Sequence, residues 1–260
     1  MPTLRSIVRS VLSLSLCLVF LSPISSSFAA EYIASDVSQR VGAATVMVHV
    51  EYEDTRETQV SWGTGFIIGH GVIMTNAHVV SDRVPTRIYV HNAYLPVTEA
   101  RVLAARYDTD GDGASHPNYF DVALLTYTPP ANIQLPVLPF SLGASTNQDI
   151  FAFGFPGNES THLEPQYQYV PGGPPRAPLS ITGGTINQVI QANPALLMHD
   201  ALCKTGNSGG PLINERGEVV GMQTWSADPD PRNVVLSFAI GSRGLVSFAQ
   251  QAGYRPYIVE

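Results

Sequence analysis

The sequence predicts an all-β protein built in two halves, and three observations carry that prediction. Short apolar runs rich in β-branched residues recur along the chain, each bounded by Gly, Pro, Asn or Asp. They fall into two series separated by a proline-rich stretch, from Thr128-Pro129-Pro130 through Pro136 and Pro139, which suits an extended connector and neither a strand nor a helix. Helical patterning is confined to two short segments near the ends.

In chain order, the first segment carries Arg5 and Arg9, an apolar stretch from Val11 to Leu21, and then Ser25-Ser26-Ser27-Phe28-Ala29-Ala30. This is the pattern of a secretory signal, with cleavage expected after Ala29. Its apolar core is shorter than the roughly 20 residues of a membrane span. Leu16 before Cys17 argues against lipoprotein processing, and no later apolar run could cross a membrane, so the mature chain is expected to be free of one.

A short helix is expected near Val37, capped by Ser35 or Asp36. The first series of strands follows: Ala44 to Tyr52, Gly65 to Ile68, Val72 to Thr75, Arg87 to Val90 and Val122 to Tyr127. The second comprises Ile150 to Phe153, Gly184 to Ile190, Leu196 to His199, Pro211 to Ile213, Val219 to Trp225 and Val234 to Ile240. Ser242 is placed to cap a last helix from Arg243 to Gln251, with Gly253 ending it.

Removing residues 1–29 leaves about 230 residues, enough for one sizeable core or two small fused barrels. Two of the 14 basic residues and none of the 21 acidic ones leave with that segment, so the mature chain has nine more acidic than basic side chains. A net negative chain is a poor match for nucleic acid. Cys203 is the one cysteine that survives cleavage, so no internal disulfide is available and stability must come from packing.

The chemistry centres on residues 205–212, Thr-Gly-Asn-Ser-Gly-Gly-Pro-Leu, in which Ser208 stands among glycines beside bare backbone amides. A serine hydroxyl is a weak nucleophile at neutral pH and needs a base to take its proton and a third group to orient that base. His78, in Thr75-Asn76-Ala77-His78-Val79-Val80, and Asp121, in Phe120-Asp121-Val122-Ala123-Leu124-Leu125, are the candidates, each at the edge of an expected strand.

The order His78, Asp121, Ser208 and the three local contexts resemble the chymotrypsin clan of trypsin-like serine endopeptidases. The match is closest to the HtrA/Deg-type peptidase domain, through Thr64-Gly65-Phe66-Ile67-Ile68, Asp121-Val122-Ala123-Leu124, Gly206-Asn207-Ser208-Gly209-Gly210-Pro211-Leu212 and Ser237-Phe238-Ala239-Ile240. By position it covers roughly residues 36 to 250. The resemblance implies two six-stranded antiparallel β-barrels with a short C-terminal helix. Barrel 1 would span about 36–128, the linker about 129–140, barrel 2 about 141–241 and the helix about 242–252, within a peptidase domain of 30–260. It implies a catalytic triad of His78, Asp121 and Ser208 in the cleft between barrels, and an oxyanion hole formed by the backbone amides of Gly206 and Ser208.

It further implies hydrolysis of peptide bonds through an acyl-enzyme on Ser208, with no metal and no organic cofactor. The substrate-binding residues would be Leu202, Thr224, Trp225, Ser226 and Ser237. None is charged, which points to small or medium aliphatic residues before the cut bond. The strand at Trp225 and Ser226 would take substrate backbone by strand addition, with core packing as the lesser alternative for Trp225. Asn207 replaces the aspartate of animal digestive relatives, so no zymogen cleavage is expected. No PDZ module is expected after Glu260, and a monomer is the expected state because the lead from Glu31 to Ser35 is short. The bacterial periplasm, cell envelope or exterior is the expected location.

Other features stay open in sequence. Cys203 beside Lys204, the chain's single lysine, suggests either a modulated thiol or a buried structural one. Asp108, Asp110, Asp112 and Gly113 match the opening of a calcium loop, yet Tyr119 stands where the bidentate Glu belongs, which favours an acidic surface turn. Residues 157–180 read as an enlarged loop near the cleft mouth. Two other functions share these residues: a peptide-binding or scaffold module with an unformed resting site, and an esterase.

Overall fold

The computed structural model describes residues 33–53, 58–81, 84–108, 120–157, 178–227 and 236–259. The expected leader, Asp110 and Asp112 of the acidic loop, and most of the 157–180 loop lie outside these residues. Among the described residues, no helix is long and apolar enough to cross a membrane.

The fold is two closed six-stranded antiparallel barrels. Barrel 1 closes in the order β1 (Thr45–Glu53), β2 (Thr58–Gly69), β3 (Val72–Thr75), β6 (Phe120–Tyr127), β5 (Thr98–Asp108) and β4 (Arg87–His91), with β4 returning to β1. In barrel 2, β8 (Asp149–Gly154), β9 (Ser180–Ile190), β10 (Leu196–His199), β13 (Ser237–Gly241), β12 (Val219–Ser226) and β11 (Pro211–Ile213) form the ring, closed by β11 against β8.

Burial explains which strands the sequence disclosed. β3 is buried at every position and β6 at all but one, so their apolar runs are continuous and easy to see. β5 was missed: Glu99, Arg101, Val102, Leu103, Ala105, Arg106 and Tyr107 are all exposed, and a bulge at Val102/Ala104 breaks the alternation. The short strands β7 (Phe140–Ser141) and β14 (Ile258–Val259) were also missed; they pair parallel to each other and extend barrel 2 beyond β12.

Among the described residues three helices complete the fold, and the caps differ from expectation. α1 runs from Ser35 to Ala44 with Ala34 at its N-cap and no side-chain cap, so neither Ser35 nor Asp36 has that role. α3 spans Ser242–Gln251, and the Ser242 hydroxyl donates to the Ser141 carbonyl at 2.6 Å and does not close the helix. Its C-terminus ends as expected, with Gly253 N–H donating to the Gln250 carbonyl at 3.0 Å and Tyr254 N–H to the Ala249 carbonyl at 2.9 Å. The one-turn α2 (Ala77–Ser81) was not foreseen; it carries His78 off the end of β3.

The barrels are tied together at several points. Tyr254 Oη donates to the Ile68 carbonyl at 3.0 Å, fastening the segment after α3 to barrel 1. Phe66 of barrel 1 meets Phe140 at 6.1 Å between ring centres, and both are fully buried. Burial of that kind contributes about 2–3 kcal/mol per ring.

Candidate active site

Asp121 lies in β6, opposite Tyr107 of β5, with no exposed surface. A carboxylate that deep must be met by donors. Its Oδ2 stands 2.5 Å from His78 Nδ1, and its Oδ1 accepts the backbone N–H of His78 at 2.9 Å. One carboxylate therefore fixes both the main chain and the ring of the histidine. A carboxylate can only accept here, so Nδ1 carries the ring proton and Nε2 is left as the basic nitrogen. Asn76, fully buried, donates from Nδ2 to the Asp121 carbonyl at 2.7 Å and to Thr224 Oγ1 at 3.3 Å, linking the acid's strand to β12 of the other barrel. The motif gives no local sign of this role; the Asn76 side chain is one of the polar links between the halves.

Ser208 sits in the turn before β11, and the peptide groups around it are held from outside. The Thr205 carbonyl accepts Gly157 N–H at 2.7 Å, and the Gly206 carbonyl accepts Thr64 Oγ1–H at 2.7 Å. Asn207 N–H donates to the Lys204 carbonyl at 2.9 Å, while the Asn207 carbonyl accepts Gly210 N–H at 2.9 Å. The Ser208 carbonyl accepts Thr64 N–H at 2.8 Å, and Gly209 N–H donates to the Gln223 carbonyl at 2.8 Å. Among the described residues, the amides of Gly206 and Ser208 make no backbone hydrogen bond within this turn. Gly206 has φ +95°, and a Cβ there would come within 2.5 Å of the Phe155 carbonyl, so the turn requires glycine.

The Ser208 hydroxyl donates to the Thr224 carbonyl at 3.0 Å. Its one proton is directed there, so proton transfer to His78 requires the hydroxyl hydrogen to leave that carbonyl.

The residues expected to bind substrate separate into two groups. Ser237 is fully buried and Thr224 nearly so. Ser226 Oγ lies 3.0 Å from Ser237 Oγ and donates to the Cys203 carbonyl at 3.3 Å. Trp225 stacks on Phe238, 4.9 Å between ring centres and 7° from parallel, across the β12–β13 pair. Leu202 stands apart at 48 % exposure, with its carbonyl taking the Thr182 hydroxyl at 2.9 Å. The neighbouring Cys203 turns inward instead, 3 % exposed and hydrogen-bonded to the side chains of Ser237 and Asn207. Burial pushes its thiol up to about 12, and the two hydrogen bonds only partly offset this. Lys204 is exposed, and the cation-activated thiol is not what the fold builds.

Sequence reasoning also missed a buried pair behind the turn. His199 Nε2 lies 2.8 Å from Gln223 Oε1, and Gln223 Nε2 donates to the Trp225 carbonyl at 3.0 Å. With the amide oriented that way, His199 must hold its proton on Nε2. Burial lowers its pKa to about 4, so the ring is neutral at pH 7. The only sequence sign was a polar residue closing the apolar run Leu196-Leu197-Met198.

A family model for the trypsin-like peptidase domain matches residues 63–222. The chain belongs to this family. The matched stretch of the trypsin-like domain contains His78, Asp121 and Ser208. Mitochondrial serine protease HTRA2 of Bos taurus is 29 % identical over 227 residues, covering 82 % of this chain and 42 % of that protein. Serine protease HTRA1B of Danio rerio is 26 % identical over 230 residues, covering 84 % and 41 %. The trypsin-like domain thus spans less than half the length of these curated relatives. Two solved structures share the fold. The serine endoprotease from Yersinia pestis superposes with a TM-score of 0.59 at 24 % identity, over 83 % of this chain and 65 % of that one. The inactive form of Rv3671c protease gives 0.59 at 23 %, over 85 % and 94 %.

Proposed function

We propose that this chain is an exported serine endopeptidase that cleaves protein or peptide substrates through an acyl-enzyme on Ser208. The observation that carries the reading is the double grip of Asp121 on His78, which leaves Nε2 as a base directed by a buried carboxylate. Membership in the trypsin-like family and similarity to HtrA proteases support it.

In this mechanism His78 Nε2 takes the Ser208 proton as Oγ attacks the substrate carbonyl. The C–O bond forms, and the carbonyl electron pair moves onto oxygen. That oxyanion is received by the amides of Gly206 and Ser208. His78 then returns the proton to the leaving amine, and water repeats the sequence to release the acid. Asp121 stays ionised and stabilises the imidazolium. No step calls for a metal or an organic cofactor.

Substrate backbone would lie along the end of β12 by strand addition, at Thr224, Trp225 and Ser226. The pocket for the residue before the cut bond would be lined by Ser226, Ser237 and the inward Cys203, uncharged groups that suit small or medium aliphatic side chains. The acidic balance disfavours nucleic acid as a partner, the leader pattern of residues 1–29 supports export to the periplasm, envelope or exterior, and a monomer is the working assembly.

The bond from Ser208 to Thr224 favours a second reading, a peptide-binding module whose resting site does not react. Incubating the chain from Ala30 and its Ser208→Ala variant with casein, with cut sites mapped by mass spectrometry, tests both. Cleavage by the parent alone supports the endopeptidase. An inert parent that also resists a serine-directed phosphonate supports the binding module.

A further inference from the structure

We propose that Thr64 is a positioning residue for the nucleophile turn, holding from barrel 1 the peptide groups of barrel 2 that aim the Gly206 and Ser208 amides; this rests on the endopeptidase reading above. Thr64 is fully buried in β2, and every polar group it has is spent. Its N–H donates to the Ser208 carbonyl at 2.8 Å and its hydroxyl to the Gly206 carbonyl at 2.7 Å. The hydroxyl oxygen accepts Phe155 N–H at 3.0 Å, and its carbonyl accepts the Thr75 hydroxyl at 2.6 Å.

The physical case starts with Gly206. With φ at +95° and no side chain, it is the hinge of the turn, and the freedom that admits this conformation also admits others. A trans peptide points its C=O and N–H in opposite directions, so fixing a carbonyl fixes the amide on the same plane. Thr64 fixes the carbonyls of Gly206 and Ser208, the planes on either side of the one that carries the Ser208 N–H. Gly157 fixes the Thr205 carbonyl, whose plane carries the Gly206 N–H. Two donors must point together at one oxygen, and Thr64 holds two of the three carbonyls just named, with Gly209 N–H to the Gln223 carbonyl as a second tie on the Ser208 plane. A hydroxyl is required because it must donate to Gly206 and accept from Phe155 at once. Valine matches threonine in shape and can do neither.

The test compares parent, Thr64→Val, Thr64→Ala and Thr64→Ser on casein and on a peptide taken from a mapped cut site. Valine is expected to lower kcat by about 10-fold to 100-fold, the range associated with small misplacement of catalytic groups, with KM little changed. Alanine, which introduces no new bulk and keeps the backbone bond, is expected to show the same loss, so a folding failure in valine does not shield the idea. Serine restores the hydroxyl and is expected to recover most of the rate. The pH dependence of phosphonate labelling should stay that of the parent, because His78 and Asp121 are untouched. Unchanged kcat in the valine or alanine variant, or a loss that serine shares, overturns the role of Thr64 while leaving the endopeptidase standing. An inert parent overturns both.

Discussion

Asp121 holds His78 by two atoms at once, Oδ2 at 2.5 Å from ring Nδ1 and Oδ1 at 2.9 Å from the backbone amide. The carboxylate thereby sets where the helix turn α2 begins, which way the imidazole faces and which nitrogen carries its proton. Position and tautomer come from a single buried group.

Asp121→Asn separates these jobs. The amide oxygen can still accept the backbone N–H, so the turn should persist, but the amide N–H₂ now faces Nδ1 and favours the tautomer with its proton on Nε2. A loss of about 10⁴-fold in kcat is expected, with little change in KM. Steady-state kinetics on a mapped peptide decides it, and a loss under tenfold would show that Asp121 does not govern the base.

Cys203 should be chemically silent in the folded chain. At 3 % exposure and with its thiol pushed up to about 12, only about one molecule in ten thousand carries a thiolate at pH 8. Iodoacetamide is expected to leave the native protein unmodified over hours and to label it fully in denaturant, as read by intact mass. Comparable labelling in both conditions would contradict the inward placement of this side chain.

How far the sequence reached follows from what each residue shows on its own. β3 and β6 were visible because they are buried on nearly every side chain, and the order His78, Asp121, Ser208 because each sits in a distinctive local string. β5 was not visible, since its exposed Glu99, Arg101 and Arg106 mask its pairing with β6. Which of Leu202 and Cys203 faces inward depends on a turn of backbone that composition does not encode. The bonds of Thr64 to Gly206 and of His199 to Gln223 join residues 142 and 24 positions apart, and no local pattern reports such partners.

His199 predicts an acid limb of stability. Burial lowers its folded pKa to about 4 from the ordinary 6.5, so between those values the unfolded chain binds the extra proton. Stability from this group is therefore complete above pH 6.5 and is lost as pH falls toward 4, a change on the order of 3 kcal/mol. Urea midpoints at pH 7 and pH 5 should differ more for the parent, with the lower midpoint at pH 5, than for His199→Gln, which keeps a donor for Gln223 without titrating. Other ionisable groups contribute equally to both proteins and cancel. Equal pH dependence in the two would exclude His199 as the cause.

Gly209 has the least tolerant backbone position beside the nucleophile. Its φ is +85°, and a Cβ there would overlap the Thr64 carbonyl and the Thr75 hydroxyl and come within 2.9 Å of the Asn76 amide. These atoms lie where barrel 1 packs under the turn, and two of them belong to backbone that cannot step aside. Gly209→Ala should therefore cost about 2–5 kcal/mol, from the left-handed conformation and the overlap together. Activity should fall beyond what instability explains, because relieving the overlap must move Ser208 or Thr64. Gly143, where a Cβ meets nothing within 4 Å and φ is not positive, is the control and should change by less than about 0.5 kcal/mol as alanine. Urea midpoints and kcat for the two variants separate the outcomes: if Gly209→Ala matches Gly143→Ala in both, the packing of barrel 1 under the nucleophile turn does not constrain it.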